Sequence, residues 1–290
     1  MGQWEAFSVA GEESYNAYFT DVFAVDSTIW IIDTNEKIHR SINNGLSWET
    51  YETGVLIPSS IYFLDQLCGF VIGRNGETAK TNDGGETWVL IESGTLGYND
   101  LTDIHFIENT GWVIGRQGTF YQTVDRGNSW TQKSLPNIPS YWLDLTDIYF
   151  FSKLEGYILG YGNGYFKTVD GGTTWRYYSY RINGVSTWIG LKRIFFKNQL
   201  EGWATNESDV YKTKDSGISW HRVSSWDLWS VKDIYFLNEQ FGWAIHNDGD
   251  ISRTTNGGDT WVQERRNMGR RYALENITFD DNGNGWTIGN

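Results

Sequence analysis

The sequence predicts an all-β protein that folds as a seven-bladed β-propeller with four strands in each blade. An eight-residue turn pattern occurs six times, and successive copies are 40 to 45 residues apart. Short β-branched and aromatic segments of strand length precede the turns, whereas no segment keeps the 3.6-residue periodicity of an amphipathic helix. A repeat of this length, with short strands and glycine-rich turns in every unit, is typical of a propeller.

The repeated turn is clearest at residues 81–88. Its pattern is a hydroxyl residue, any residue, Asp or Asn, any residue, Gly, any residue, Ser or Thr, and Trp. The oxygen of the third side chain can accept hydrogen bonds from nearby backbone N–H groups, and the glycine permits positive φ. Because two copies have Asn at the third position, a structural role is favoured over a charge-dependent one. The third-position residues and tryptophans are Asn43 and Trp48, Asp83 and Trp88, Asp125 and Trp130, Asp170 and Trp175, Asp215 and Trp220, and Asn256 and Trp261.

Each unit begins with an apolar segment that is predicted to form its innermost strand. The segments are too short for helices and apolar enough to be buried on both faces. They are Val22–Val25, Ile61–Leu64, Ile104–Ile107, Ile148–Phe151, Ile194–Phe196, Ile234–Leu237 and Ile277–Phe279. An aromatic residue then anchors a second strand in each unit: Trp30, Phe70, Trp112, Tyr157, Trp203, Trp243 and Trp286. A third strand leads into the turn, and the turn tryptophan begins a fourth.

The last unit has no copy of the turn, so the two ends of the chain are expected to meet in it. We expect a strand at about residues 3–9 to be the outer strand of the last blade, 271–290, and thereby to close the ring. The third strand and turn of that blade are then absent, so either the blade has three strands or a C-terminal piece is missing from this sequence. Residues 1–290 are then a single domain, because each repeat buries its apolar face only against its neighbours.

The formal charge of −13 argues against a nucleic-acid ligand, because neutralising phosphates requires clustered Lys and Arg. No apolar run approaches the ~18 residues that cross a bilayer, so membrane insertion is not expected. The single cysteine, Cys68, is expected to be a buried apolar side chain. The one basic run consists of Arg265, Arg266, Arg270 and Arg271.

Catalytic or metal-binding patterns are sparse. The histidines His39, His105, His221 and His246 lie in different units without metal-site spacing, so neither a metal nor a cofactor is predicted. Four acids precede innermost strands: Asp21, Asp103, Asp147 and Asp233. Around a central channel they could bind a cation or act as acid and base, but their recurrence with the repeat favours capping of the strand starts.

Large aromatic residues are concentrated in loops on the face opposite the repeated turns. Several of them precede the innermost strands by five or six residues, within otherwise polar loops. Individually they could pack over a neighbouring blade, whereas together they favour a platform for sugar rings or for a protein partner. The candidate binding residues are Arg74, Tyr98, Arg116, Tyr141, Trp142, Tyr161, Trp188, Trp226, Trp229 and Tyr272, with Tyr180 in the same set of loops.

The six turns resemble the Asp-box, or BNR, repeat of bacterial sialidases, two-domain xyloglucanases and sortilin-type receptors. Residues 69–88 and 111–130, which join a Gly-aromatic strand to the turn, resemble the propellers of the photosystem II stability and assembly factor-like family. The resemblance covers nearly the whole chain. It implies a seven-bladed, non-catalytic binding platform and an extracytoplasmic location.

The sequence also departs from these families. Photosynthetic members carry an arginine-rich patch, of which only Arg74 and Arg116 are present here; the matching positions elsewhere hold Thr34, Tyr161, Glu207 and Asn247. The Arg-Ile-Pro string of sialidases does not occur. The xyloglucanase type of site lies between two propellers, whereas a chain of this length supplies one.

We therefore expect a non-enzymatic propeller that binds a protein partner or assembly component through its aromatic face. The alternative is a carbohydrate-binding or carbohydrate-cleaving protein that uses the same face, with an acid pair drawn from Asp103, Asp144, Asp147 and Asp233. Two carboxylates about 5 to 10 Å apart in an open groove would support a glycosidase. Acids engaged by backbone hydrogen bonds would argue against it.

Overall fold

The computed structural model describes residues 4, 17–92, 94–136, 143–160, 162, 164–182, 185–206, 208–223, 228–265, 273–280 and 282–289. Within them, six four-stranded antiparallel sheets each contain strands that follow one another in the chain. The first strands of neighbouring sheets contact one another in sequence, which places them around a common axis as the blades of a propeller.

The first three blades have the following strands: β1 Phe19–Val25, β2 Thr28–Asp33, β3 Lys37–Ser41 and β4 Glu49–Glu52; β5 Pro58–Phe63, β6 Gly69–Gly73, β7 Thr78–Thr81 and β8 Val89–Leu90; β9 Leu101–Ile107, β10 Thr110–Gly115, β11 Phe120–Thr123 and β12 Thr131–Gln132. The fourth blade consists of β13 Leu145–Phe150, β14 Gly156–Gly160, β15 Gly164–Thr168 and β16 Arg176–Ser179, and a small hairpin follows it, β17 Arg181–Ile182 and β18 Val185–Ser186. The remaining strands are β19 Arg193–Phe196, β20 Gly202–Thr205, β21 Val210–Thr213 and β22 His221–Arg222; β23 Val231–Phe236, β24 Gly242–His246, β25 Ile251–Thr254 and β26 Val262–Arg265; and β27 Leu274–Phe279 and β28 Gly285–Gly289.

The prediction of seven four-stranded blades is wrong, because the described residues form six. The unit counted as the seventh is a two-stranded hairpin, β27–β28, that lies between the sixth and first blades. Among the described residues it has neither a third strand nor a copy of the turn. Of the N-terminal strand expected at residues 3–9, only Trp4 is described, and its ring packs edge-on against Phe279 at 6.4 Å.

Aromatic stacking between blades forms much of the core. The aromatic residue of a second strand lies on the phenylalanine that ends the innermost strand of the next blade. Trp30 stacks on Phe63 with ring centroids 3.7 Å apart, and Trp112 stacks on Phe150 at 3.6 Å. In every unit except the first, a glycine precedes the aromatic residue of the second strand; a Cβ at Gly69, for example, would lie 2.6 Å from the Phe63 ring. Cys68 is also buried.

The repeated turns are held by a compact set of hydrogen bonds, shown here for the third blade. The Thr123 hydroxyl donates to Asp125 Oδ1 and accepts from the Gly127 N–H. Asp125 in turn accepts from the Ser129 N–H at 2.9 Å and from Ser129 Oγ at 2.6 Å. These hydrogen bonds lower the pKa of Asp125 to about 2, and the bond from Ser129 Oγ contributes most to the shift. In the Asn copies, the amide of Asn43 instead donates to Ser47 Oγ.

Candidate functional site

The face opposite the repeated turns is formed by the loops between second and third strands and by the loops that enter each blade. Two of these loops are 3-10 turns, Arg74–Gly76 and Arg116–Gly118. An acid from the loop that enters the next blade holds each turn, since the Asn75 N–H donates to Asp100 Oδ1 and the Gln117 N–H donates to Asp144 Oδ1, both at 3.1 Å. We call this surface the loop face.

The two arginines of these turns differ in their surroundings. Arg74 is exposed and makes no ion pair with any residue that the structure describes. Arg116 is also exposed, but its Nε lies 3.7 Å from Asp100 Oδ2. Both guanidinium groups therefore face solvent on the loop face, and only that of Arg116 is partly neutralised.

Three of the predicted aromatic residues lie on the loop face and are largely exposed. The exposed fractions are 74% for Tyr98, 70% for Trp188 and 53% for Trp229. Trp188 and Trp229 belong to the loops that enter the fifth and sixth blades, which are neighbours, whereas Tyr98 enters the third. Tyr180, from the same set of loops, is instead fully buried in the core between the fourth and fifth blades.

The loop that carries Trp229 is held by a buried histidine. Nδ1 of His246 lies 2.7 Å from the carbonyl oxygen of Trp229, and Nε2 lies 2.9 Å from Ser252 Oγ. Because a carbonyl oxygen only accepts, the proton must be on Nδ1, and Nε2 can then accept from the serine hydroxyl. The backbone under Trp229 is thus fixed although its side chain faces solvent.

Several predicted residues lie outside the described part of the chain. These are Tyr141, Trp142, Tyr161, Trp226 and Tyr272, together with Arg266, Arg270 and Arg271. Arg265 ends strand β26, and nothing is assigned to its side chain.

The acids at the starts of the innermost strands bridge neighbouring blades around the channel. Asp21 accepts from the Val22 N–H of its own strand and from the Ile61 N–H of the next blade, at 2.9 and 3.0 Å. Asp103 bridges in the same way to the Ile148 N–H at 2.9 Å. The equivalent bonds from the next blade reach Asp147 and Asp233 from the N–H groups of Ile194 and Ile277.

One arginine, Arg193, stands at the equivalent position in the fifth blade. Its Nη1 lies 3.3 Å from Asp147 Oδ1, and 38% of its side chain is exposed to the channel. Burial acts to lower the pKa of Arg193, but the fields of the four surrounding carboxylates raise it overall. The sequence interpretation missed this residue. Aligning the residue just before each apolar segment of the sequence would have found it, since that position holds Asp21, Ser60, Asp103, Asp147, Arg193, Asp233 and Asn276.

The channel carboxylates are hard to ionise. Burial, opposed in part by the hydrogen bond from the Ile61 N–H, raises the pKa of Asp21 to about 7. Burial likewise raises the pKa values of Asp103, Asp147 and Asp233 despite the nearby Arg193. Ser60 Oγ lies 3.0 Å from Asp21 Oδ2 and 3.3 Å from Asp103 Oδ1, so it links two of these carboxyl groups.

In this arrangement the channel aspartates accept backbone N–H groups of the innermost strands, which is the capping role considered from the sequence. Of the acids considered for a glycosidase pair, Asp103, Asp147 and Asp233 all accept backbone N–H groups, as does Asp144 from Gln117.

Within the described residues no cluster of three or more His, Cys, Asp or Glu side chains could hold a metal ion. Nor is any helix in that part of the chain long and apolar enough to span a membrane.

A shallow polar depression lies elsewhere, between the third and fourth blades. It is lined by Gln132, Lys133, Ser134, Gly172 and Thr173. It contains none of the candidate residues, and it lies beside the fourth blade's repeated turn instead of on the loop face.

The sequential four-stranded sheets and their repeated turns define the class of the protein, an Asp-box β-propeller. The sequence profile described as "Photosynthesis system II assembly factor YCF48" matches residues 52–143 and 139–228, so the chain belongs to that family. No curated protein sequence matches the chain.

Solved structures show the same fold at low sequence identity. YCF48 from Cyanidioschyzon merolae is 18% identical with a TM-score of 0.75, and the match covers 94% of this chain and 92% of that one. A structure described as "YCF48 bound to D1 peptide" is 19% identical with a TM-score of 0.76, covering 94% and 89%. The GH74 xyloglucanase from Xanthomonas campestris is 14% identical with a TM-score of 0.62, and the match covers 86% of this chain but 47% of the enzyme.

Proposed function

We propose that the chain is a non-catalytic binding module that recognises an extended segment of a partner protein on its loop face. The observation that carries this proposal is the exposure of Trp188 and Trp229, 70% and 53%, in loops that enter adjacent blades. Tryptophan is enriched among the residues that dominate binding energy at protein interfaces, and clustered exposed apolar surface commonly marks an interaction site.

The exposed arginines of the loop face suit a partner with acidic groups. Arg74 and Arg116 present two guanidinium groups, which can bind carboxylates through two parallel hydrogen bonds. Membership of the YCF48 family and the likeness to a YCF48 structure with a bound peptide support a peptide ligand over a sugar.

A carbohydrate-cleaving function has less support. It rests on the fold shared with the xyloglucanase, and fold alone does not determine function. The carboxylates that it would need are engaged by backbone N–H groups, so they are poorly placed to exchange protons with a substrate.

A selection from random phage-displayed dodecapeptides tests the proposal. Selected peptides, labelled with a fluorophore, are titrated with the chain and with a Trp188→Ala/Trp229→Ala variant. We expect binding at least about tenfold weaker in the variant, because tryptophan truncation at an interface centre commonly costs more than 1.4 kcal/mol.

The matched control is Val124→Ala/Val169→Ala, which truncates two exposed apolar residues in the repeated turns of the other face. It should bind the peptides like the unmodified chain. Failure to select any peptide that binds saturably, or equal loss of binding in both double variants, would contradict the proposal.

A further inference from the structure

Three blades carry a lysine at the same place in the third strand, directly before the first residue of the repeated turn. Each of these lysines is half-buried and lies opposite the aromatic residue of the second strand in its own blade. The pairs are Lys80 with Phe70, Lys167 with Tyr157, and Lys212 with Trp203. Each Nζ lies over the ring of its aromatic partner, between 4.7 and 5.3 Å from the ring centroid. Because this contact is common to all three lysines, any difference between them comes from their other neighbours.

The repeated turn of the next blade supplies a polar side chain to two of these lysines. Lys80 Nζ donates to Asn128 Oδ1 at 2.8 Å, in addition to a turn carbonyl at 3.1 Å. Lys212 Nζ lies 3.2 Å from Asp259 Oδ1, in addition to a turn carbonyl at 3.3 Å. Asn128 and Asp259 are both the sixth residue of their turn. The sixth turn residue therefore completes the surroundings of the lysine in the preceding blade.

Lys167 is the exception, because the sixth residue of the turn next to it is Ile218. Among the described residues, the one hydrogen bond of Lys167 Nζ is to the Ser216 carbonyl, and it is long, at 3.5 Å. Ile218 is 58% exposed and has no polar atom in its side chain. The ammonium group of Lys167 therefore has no counter-charge in direct contact.

A second cation stands opposite Lys167 across the β15–β16 pair. Its partner there is Arg176, so the two side chains lie on the same face of the sheet. The corresponding pairs in the other two blades are Lys80 with Val89 and Lys212 with His221. Of the three lysines, only Lys167 faces a permanent cation. Like charges directly opposite one another are unfavourable, and a neighbouring cation favours the neutral amine of a lysine.

The protonation of Lys167 reflects these surroundings. Burial lowers the pKa of Lys167, and the fields of Glu155 and Asp215 oppose this effect without cancelling it. Both carboxylates are engaged elsewhere, since Glu155 Oε1 accepts from Gln199 Nε2 and Asp215 Oδ1 accepts from the Ser219 N–H, each at 2.9 Å. A larger fraction of this amine is therefore neutral near pH 7 than for an ordinary lysine.

We propose that Lys167 is a nucleophilic modification site that takes acyl groups from activated acyl donors such as thioesters. The neutral Nζ attacks the carbonyl carbon of the thioester, the C–S bond breaks, and the leaving thiolate takes up the proton that the amine loses, which yields an amide and a thiol. Ile218 and the Tyr157 ring offer apolar contacts to the acyl chain. Acylation removes the positive charge that lies over Tyr157. The site lies between the fourth and fifth blades and is independent of the loop face.

Reaction of the folded chain with the acetyl thioester of N-acetylcysteamine tests this assignment. Initial acetylation rates of Lys80, Lys167 and Lys212 are measured at pH 7.5 by mass spectrometry of proteolytic peptides. We expect Lys167 to react several-fold faster than the two lysines at matching positions. The difference should shrink as the pH approaches about 10, the ordinary pKa of lysine, because the other amines are then largely neutral as well.

Two substitutions of Ile218 show whether the missing partner causes the reactivity. Ile218→Asp introduces a carboxylate equivalent to that of Asp259 beside Lys212, and it should slow acetylation of Lys167 several-fold without changing the rate at Lys80. Ile218→Val keeps the position apolar and is the matched control, which should leave the rate at Lys167 unchanged.

The proposal is overturned if Lys167 reacts no faster than Lys80 and Lys212 in the unmodified chain. It is also overturned if acetylation of Lys167 is equally fast in the Ile218→Asp and Ile218→Val variants. The comparison of the three lysines holds even if a variant folds poorly, because it needs only the unmodified chain.

Discussion

The aspartates of the repeated turns and those of the central channel have opposite electrostatic behaviour. Asp125 in a turn is exposed, and hydrogen bonds from Ser129 and Thr123 lower its pKa to about 2. Asp21 in the channel also accepts backbone hydrogen bonds, yet burial raises its pKa to about 7. In the channel the effect of burial on the pKa outweighs that of the hydrogen bonds, whereas in the exposed turn the hydrogen bonds prevail.

The turn aspartates and the channel aspartates also stabilise the propeller in different ways. A turn aspartate stabilises one blade, because its bonds stay within four residues of the chain. A channel aspartate joins two blades, since Asp103 accepts from its own strand and from Ile148 of the next blade. Asparagine replaces aspartate in two turns, whereas the channel contains an arginine that needs charged partners.

The largest expected effect comes from removing that arginine. In an Arg193→Met variant the four carboxylates lose the cation between them, and we expect a loss of about 2 to 3 kcal/mol of unfolding free energy at pH 8. Removing one partner of a fully buried ion pair costs about 3 to 5 kcal/mol, and water in the channel reduces this value. Urea denaturation provides the measurement.

The loss should shrink at pH 5, where the carboxylates are more nearly protonated in the folded state. Arg193→Lys keeps the charge and should lose less than Arg193→Met. An equal loss for both variants at both pH values would mean that Arg193 acts by packing and that the channel charges are not coupled.

A turn hydroxyl should have a smaller effect that does not depend on pH between 5 and 8. Thr123→Val keeps the shape of a buried side chain but removes the acceptor of the Gly127 N–H and the donor to Asp125. Leaving a buried donor unpaired costs about 1 to 2 kcal/mol. Urea denaturation of Thr123→Val should show this loss, while Thr131→Val, at an exposed strand position, should be nearly neutral. A loss confined to one end of the pH range would contradict the assignment.

The sequence allowed a correct prediction of the four-stranded blades because each unit repeats both strand period and turn chemistry. Innermost strands were placed within a few residues, as with Ile104–Ile107 inside β9. The blade number was wrong because first strands were counted, whereas a four-stranded blade also needs a third strand and a turn. The six turns equal the six blades found.

The candidate site was less predictable. Exposure of Trp188 and Trp229 was expected from their polar loops, but Tyr180 from a similar loop is buried. The path by which a loop folds back over a blade depends on contacts between blades, and strand periodicity carries no information about it. Arg193 was missed for a related reason, because its partners lie about 40 or more residues away in other units.

The most direct test of the comparison is the pH dependence of stability. The pKa of Asp21 rises from 3.8 to about 7 on folding, so the folded state holds its proton more tightly. The resulting stabilisation is fully present below about pH 4 and is lost as pH rises through 7, with a slope of up to about 1 kcal/mol per pH unit. For Asp125, whose pKa falls to about 2, the sign reverses, and stabilisation is lost as pH falls from 4 through 2.

The urea denaturation midpoint of the Asp21→Asn variant should therefore vary less with pH than that of the unmodified chain between pH 5 and 8. The midpoint of the Asp125→Asn variant should vary less between pH 4 and 2. If either variant flattened the curve in the other's range, the two sets of aspartates would not be electrostatically distinct.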